Sequence, residues 1–201
     1  MKKLNRDFYL EPDIIKISRK LLGKVLCTNF QGQLTSGIIV ETEAYAGIND
    51  KASHAYGNKK TNRTKIMYDS GGVAYIYLCY GMHHLFNIVT NKKNIPHAIL
   101  IRAIEPLTGI NSMLKRKNKQ KKNFNLTSGP AKLTKALGIT TNQNGISLLN
   151  NIIWIENKKN IPDKQIIASP RVGIPYAEEH ILNPWRFRIK DNPWTSNPNK
   201  L

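Results

Sequence analysis

The chain is poor in acid and almost free of cysteine. Of its 201 residues, 13 are Asp or Glu against 31 Lys or Arg, and 2 are Cys. Cys27 and Cys79 are too few and too isolated for a disulfide framework or a thiolate zinc site. No apolar run approaches the roughly 20 residues of a membrane-spanning helix. The opening Met1-Lys2-Lys3-Leu4-Asn5-Arg6-Asp7 leads into no apolar signal segment. An intracellular protein with no membrane partner is therefore expected. Also missing are a Walker phosphate loop, a dinucleotide glycine fingerprint, a paired-His zinc helix and a serine nucleophile elbow, which removes the best-marked enzyme classes.

The acid deficit leaves a formal charge of +18 and a pI near 10.0. Such a balance favours a polyanionic partner, nucleic acid ahead of an anionic membrane. Part of the excess is compositional. Lys, Asn and Ile are abundant throughout, as in an AT-biased coding sequence, so charge alone marks no site. The length and the 40% hydrophobic content suffice for one buried core, and a single domain over 1–201 is expected.

The first informative stretch is Ile38-Ile39-Val40-Glu41-Thr42-Glu43-Ala44-Tyr45. Read as a strand, it sends Ile39, Glu41, Glu43 and Tyr45 to one face, which sets an acid beside an aromatic ring. A solvated strand end explains this segment equally well. Upstream, Asp13 followed by Ile14, Ile17, Leu21, Leu22 and then Gly23 predicts a short capped helix. Lys24 to Phe30 reads as a strand, turning at Gln31-Gly32-Gln33 into the Glu43 strand. The segment 46–72 has few apolar residues, holds His54, Tyr56, Asn62, Arg63 and Met67, and is long for a spacer, so it is expected to be a functional loop.

The second informative region is Val73-Ala74-Tyr75-Ile76-Tyr77-Leu78-Cys79, Tyr80-Gly81-Met82-His83, then Leu85-Phe86-Asn87-Ile88-Val89. The pattern predicts a β-hairpin with Tyr80 and Met82 at its tip. A further strand over 98–104 is expected to end at Glu105-Pro106, with a helix over 109–115. The basic run 115–122 reads as a solvated loop with phosphate contact behind it. Ser128-Gly129-Pro130-Ala131-Lys132-Leu133 reads as a capped helix start stopping at Gly138. Its free N–H groups suit either a phosphate or a plain structural cap. Arg171-Val172-Gly173, Trp185-Arg186-Phe187-Arg188 and Pro193-Trp194 read as further strands. His83 and His84 would point to opposite faces of a strand, so no metal site is expected.

A basic chain with a Glu/Tyr strand, a His-bearing loop, a Tyr-rich hairpin and an Arg-bearing strand has the parts of an enzyme that flips a nucleotide into an aromatic pocket. Tyr45, His54 and Tyr77 would supply the ring faces, although strand packing alone accounts for Tyr75 and Tyr77. Tyr80 would fill the vacated stack; an exposed hairpin tyrosine also suits a protein–protein contact.

Taken together, Val40-Glu41-Thr42-Glu43-Ala44-Tyr45, Asp50 to His54, Tyr75-Ile76-Tyr77 with Tyr80-Gly81-Met82-His83 and Asn87, Arg102-Ala103-Ile104-Glu105-Pro106, Ser128-Gly129-Pro130 with Lys132-Leu133, and Arg171-Val172-Gly173 stand in the order of a known family. The chain resembles the alkyladenine (3-methyladenine, N-methylpurine) DNA glycosylases from its first helix to Trp194. The resemblance implies an α+β fold: a curved, mainly antiparallel sheet with short flanking helices and a protruding DNA-inserting hairpin. It implies Glu43 as the base that deprotonates water, placed with help from Arg102 and the Val172 carbonyl. Tyr45, His54, Tyr77 and Asn87 would line the base pocket, with Asn87 excluding guanine by collision with its exocyclic amine.

On the same resemblance Tyr80, with Met82 beside it, would enter the duplex, while Ser128, Gly129 and Lys132 would meet the DNA backbone. It further implies a monomer acting on double-stranded DNA that contains damaged purines, by hydrolysis without strand cleavage and without metal or organic cofactor. The location would be the nucleoid of a bacterium or the nucleus of a eukaryote. Thr64 stands where the family usually has asparagine, and the 91–96 turn and the 115–122 run are longer than in some relatives. Two other readings compete: a non-catalytic nucleic-acid-binding module, and a metal-dependent nuclease using Glu41, Glu43 and His54.

Overall fold

The structure is a computed structural model that describes residues 2–196; the ends of the expected 1–201 domain, residue 1 and residues 197–201, lie outside it. After a single turn, α1 (Arg6–Tyr9), comes α2 (Ile14–Leu21). The Asp13 carboxylate accepts hydrogen bonds from the Ile15 and Lys16 amides, taking up donors that a helix start leaves unpaired. Ile14, Ile17 and Leu21 form the buried face. Gly23 then leaves the helix at φ +80, where a Cβ would stand 2.7 Å from the Lys159 carbonyl oxygen.

Strands β1 (Val25–Phe30) and β2 (Gln33–Ala46) form a hairpin. Its two turn residues, Gln31 and Gly32, both have positive φ, the geometry whose twist matches the strands it joins. β3 (Val73–Cys79) and β4 (His83–Thr90) form the second hairpin, and β5 (His97–Thr108) lies between β4 and β2. Then follow α3 (Ile110–Arg116), α4 (Pro130–Leu137) and three short strands, β6 (Ile153–Glu156), β7 (Ile166–Ser169) and β8 (Arg186–Ile189). The sheet runs β3-β4-β5-β2-β1-β6, with β8 pairing to both β2 and β7. Every named strand pair is antiparallel. The sheet is curled, and with its few short helices it makes the expected α+β fold.

Four local expectations need correction. β5 does not stop at Glu105-Pro106: it runs on to Thr108, with Pro106 opposite Gly37. β4 covers β5 only from His97 to Leu100 and Ser128 bridges it at Ala103, so past that bridge the strand has no ladder neighbour on this side among the described residues and a residue without an N–H is tolerated. Arg171-Val172-Gly173 is not a strand. Pro170 follows β7, Gly173 has φ +79, and the Arg171 side chain is committed to Asp50 and the Ala44 carbonyl. Pro193-Trp194 is a turn after β8. The start of α4 carries no side-chain cap: Gly129, in the N-cap position at φ 136, has no side chain to accept a bond, and Ser128 before it is bridged to Ala103 of β5.

The main core packs α2, α4 and the sheet through Ile17, Leu21, Phe86, Ile101, Leu133 and Leu137. A second, smaller cluster joins the 47–72 segment to the sheet: Ala55, Met67 and Tyr68 against Tyr75, Val89 and Ala98. Three 3-10 turns, Gly47–Asn49, Tyr56–Asn58 and Lys65–Tyr68, give that segment its shape. It is thereby fixed against the same strands that carry Tyr75 and Tyr77.

Candidate active site

Alternation along β2 gathers Glu41, Glu43 and Tyr45 on the face that meets Arg102 of β5. Glu43 is fully buried. Its Oε2 accepts from the Tyr45 hydroxyl at 2.9 Å and from Arg102 Nη1 at 3.3 Å, while its Oε1 accepts from the Val172 backbone N–H at 2.8 Å. An ionised carboxylate offers about four acceptor positions. Among the described residues three are filled, which leaves a position open on Oε1. The contact made by Val172 is through its N–H.

Glu41, also fully buried, is saturated instead. Arg102 Nε (2.9 Å), Arg186 Nε (2.7 Å) and the Ser196 N–H (2.6 Å) and hydroxyl (2.9 Å) all donate to it. Burial works against the charged form of Arg102, but Glu43 and Glu41 outweigh it and hold its pKa above the ordinary arginine value. The phenol of Tyr45 is pushed well above its usual range, by burial first and by the Glu43 charge second, so it stays a donor.

In front of this buried layer opens a cleft of about 280 Å³. Its wall includes Tyr45, Arg102, Val172, His54, Tyr77 and Asn87, so six expected site residues, from four strands and two loops, meet there, with Glu43 bonded directly behind three of them. The His54 and Tyr77 ring centroids are 4.7 Å apart, nearly perpendicular. His54 Nε2 lies 3.3 Å from Arg63 Nη2, and its Nδ1 is 2.8 Å from the Tyr75 hydroxyl. A guanidinium only donates, so Nε2 is the acceptor and the proton sits on Nδ1. Burial, then the nearby Arg63 charge, lower the His54 pKa to about 4, so the ring is neutral at pH 7. Asn87 is locked: its Nδ2 donates to the Tyr75 carbonyl at 3.1 Å.

Tyr80 and Met82 stand clear of the body at the tip of the β3–β4 hairpin, 87% and 69% exposed. Tyr80 has φ 50 and Gly81 φ 69, closed by the Met82 N–H to the Cys79 carbonyl. A bulky residue in the left-handed region is uncommon and costs conformational energy, a feature that gathers at functional positions. The start of α4 lies beside this tip: Gly129, Pro130, Ala131 and Lys132 share a shallow pocket with Tyr80 and His83. Lys132 Nζ donates to the Asn125 side chain at 2.9 Å. Ser128 is absent from that wall, its backbone held by β5.

Sequence reasoning missed the anchoring role of Glu41, the Arg186 and Ser196 donors, Arg63 at the cleft, and Arg171. The Arg171 guanidinium stacks between Tyr45 (4.9 Å) and Trp185 (5.0 Å) and is tied to Asp50. Strand alternation was a usable signal for Glu41; the others are contacts across long stretches of chain, which no local pattern carries. Among the described residues no group of three or more His, Cys, Asp and Glu stands together as a metal site, and none of the helices is long and apolar enough to cross a membrane. Glu41 and His54 are taken up by arginine, serine and tyrosine partners, which leaves Glu43 as the one of the three residues named for a nuclease with an open position among the described residues.

Comparison with known proteins identifies a family. The family model described as methylpurine-DNA glycosylase matches residues 7–193. Relatives provisionally named 3-methyladenine DNA glycosylase include one from Clostridium novyi (strain NT), 46% identical over 98% of this chain and 99% of its own. A second, from Chlamydia felis (strain Fe/C-56), is 49% identical over 92% and 95%. A third, from Natranaerobius thermophilus, is 43% identical over 96% and 98%. The chain belongs to the methylpurine-DNA glycosylase family.

Proposed function

We propose that this protein is a monofunctional DNA glycosylase that flips alkylated or deaminated purines out of duplex DNA and hydrolyses the N-glycosidic bond. The substrates on this reading are 3-methyladenine, 7-methylguanine, hypoxanthine and ethenoadenine. The observation that carries it is the acceptor position that the described residues leave open on buried Glu43, directly behind an aromatic cleft.

A water hydrogen-bonded at Oε1 attacks the sugar C1′ while its proton passes to Glu43. The electron pair of the glycosidic bond leaves with the base, so a purine methylated at N3 or N7 departs uncharged, and a neutral lesion such as hypoxanthine departs as an anion that takes up a proton from solvent. Arg102 and the Val172 segment hold the carboxylate and water in line, Val172 through its N–H in the free protein and through its carbonyl once water is bound. The base stacks between Tyr45 and the His54–Tyr77 pair. Each aromatic contact favours a cationic base by about 0.5–2 kcal/mol. Asn87, fixed by its bond to Tyr75, disfavours the guanine amine, so a guanine is excised only where methylation has weakened its glycosidic bond.

Tyr80 and Met82 fill the vacated stack, and the first turn of α4, with Gly129 and Lys132, meets the DNA backbone. Ser128 remains in this contact set only through its backbone neighbourhood. Flipping costs a few kcal/mol, less at a weakened pair, which adds a second level of selection. The protein works as a monomer, as one glycosylase domain, on the nucleoid of a bacterial cell.

The test is release of free base from methylated duplex DNA in chelator. Wild type should leave alkali-labile abasic sites and Glu43→Gln should not, while both bind DNA. Equal release by the two, or release that stops in chelator, would overturn this reading.

A further inference from the structure

Three arginines surround the cleft, and two of them are neutralised. Arg102 faces Glu41 and Glu43, and Arg171 faces Asp50. Arg63 faces no acid among the described residues. Its guanidinium lies 4.7 Å from the Tyr77 ring centroid, donates to His54 Nε2, and forms part of the cleft wall. The turn beneath it is built to hold it there. Thr64 is buried, and its hydroxyl donates to the Lys59 carbonyl at 2.7 Å and accepts from the Thr61 N–H at 2.8 Å.

Resting on the glycosylase reading above, we propose that Arg63 sets the balance between positively charged and neutral damaged purines, in favour of the neutral ones. A base stacked on His54 and Tyr77 sits within about 6 Å of an unpaired positive charge, a distance at which like charges at a half-exposed site weaken occupancy by about tenfold. A neutral purine escapes that repulsion, and a carbonyl or ring-nitrogen acceptor on its edge gains a donor from the guanidinium. Arg63 thus opposes the attraction that the bare rings exert on any cationic base. It gives the pocket reach toward deaminated purines, whose glycosidic bond is no weaker than that of a normal base.

The experiment is single-turnover excision at saturating enzyme of 7-methylguanine, a cation, and hypoxanthine, a neutral base, from otherwise identical duplexes. Spontaneous release of 7-methylguanine is subtracted. Arg63→Gln keeps a planar amide donor without charge and should raise the 7-methylguanine to hypoxanthine rate ratio about tenfold. Arg63→Lys keeps the charge and should hold the wild-type ratio. An unchanged or lowered ratio in Arg63→Gln, or the same change in both variants, would overturn the proposal. Equal loss on both bases would do so too, because it is the signature of a DNA-backbone contact. Failure of the wild type on both bases would instead remove the glycosylase reading itself.

Discussion

The Tyr45 hydroxyl donates to Glu43 Oε2 across 2.9 Å, from two positions further along the same strand. Tyr45 therefore shapes the carboxylate as well as the cleft. Tyr45→Phe keeps the ring and removes this donor. A hydrogen bond to a charged group is worth about 1.5–3 kcal/mol, so the excision rate should fall about tenfold to a hundredfold. Affinity for damaged duplex should change little. Single-turnover rates beside binding isotherms would show it; a loss confined to binding would place the hydroxyl on DNA instead.

Glu41 holds two buried guanidinium groups and the backbone of Ser196. Glu41→Gln leaves those charges with one carboxylate fewer. Breaking a buried pair from one side costs about 3–5 kcal/mol, so the melting temperature should drop clearly, and activity should fall with it even where the protein stays folded. Denaturant unfolding gives the magnitude. A variant as stable as wild type would mean that Glu41 is no anchor.

At the hairpin tip, Tyr80→Ala should weaken binding to damaged duplex far more than to the same lesion in single strand, because only a duplex leaves a gap to fill. Stability should be unchanged or slightly higher, since a strained φ passes to a smaller residue. Equal loss on both DNAs would exclude a wedge.

His54 gives a pH signature. Its folded pKa of about 4 lies below the ordinary 6.5. Between these values the unfolded chain binds the proton and the folded one does not, so stability is complete above pH 6.5 and declines as pH falls toward 4. The ring should titrate near 4 by NMR, and His54→Gln should flatten the decline. A midpoint near 6.5 would mean that the ring is not desolvated.

Much of this was legible in the sequence where the signal is local. The period of two placed Glu43 with Tyr45, Asp13 and Gly23 bounded α2, and the Tyr80-Gly81 step marked the hairpin tip. Where tertiary context decides, local reading failed. Pro106 reads locally as a strand end although Gly37 pairs with it, and 128–133 reads as a capped helix start although no side chain caps it and Ser128 bridges Ala103, 25 residues away in sequence. Arg102 and Val172 entered through family resemblance, since nothing along β5 or the 171–173 loop says that both will turn toward Glu43. The partners of Arg63 were invisible for the same reason: Tyr77 lies on a strand whose approach to the loop is fixed by the small Met67–Tyr75 cluster.

The bond from Ser196 to Glu41 joins positions 155 residues apart. A nascent chain must therefore have left the ribosome as far as Ser196 before Glu41 has its full set of donors and Arg102 its final seat. Loop closures of that span come late in folding. Translation itself thus keeps the Glu41–Arg102–Glu43 cluster unassembled until the sheet that carries it has been made.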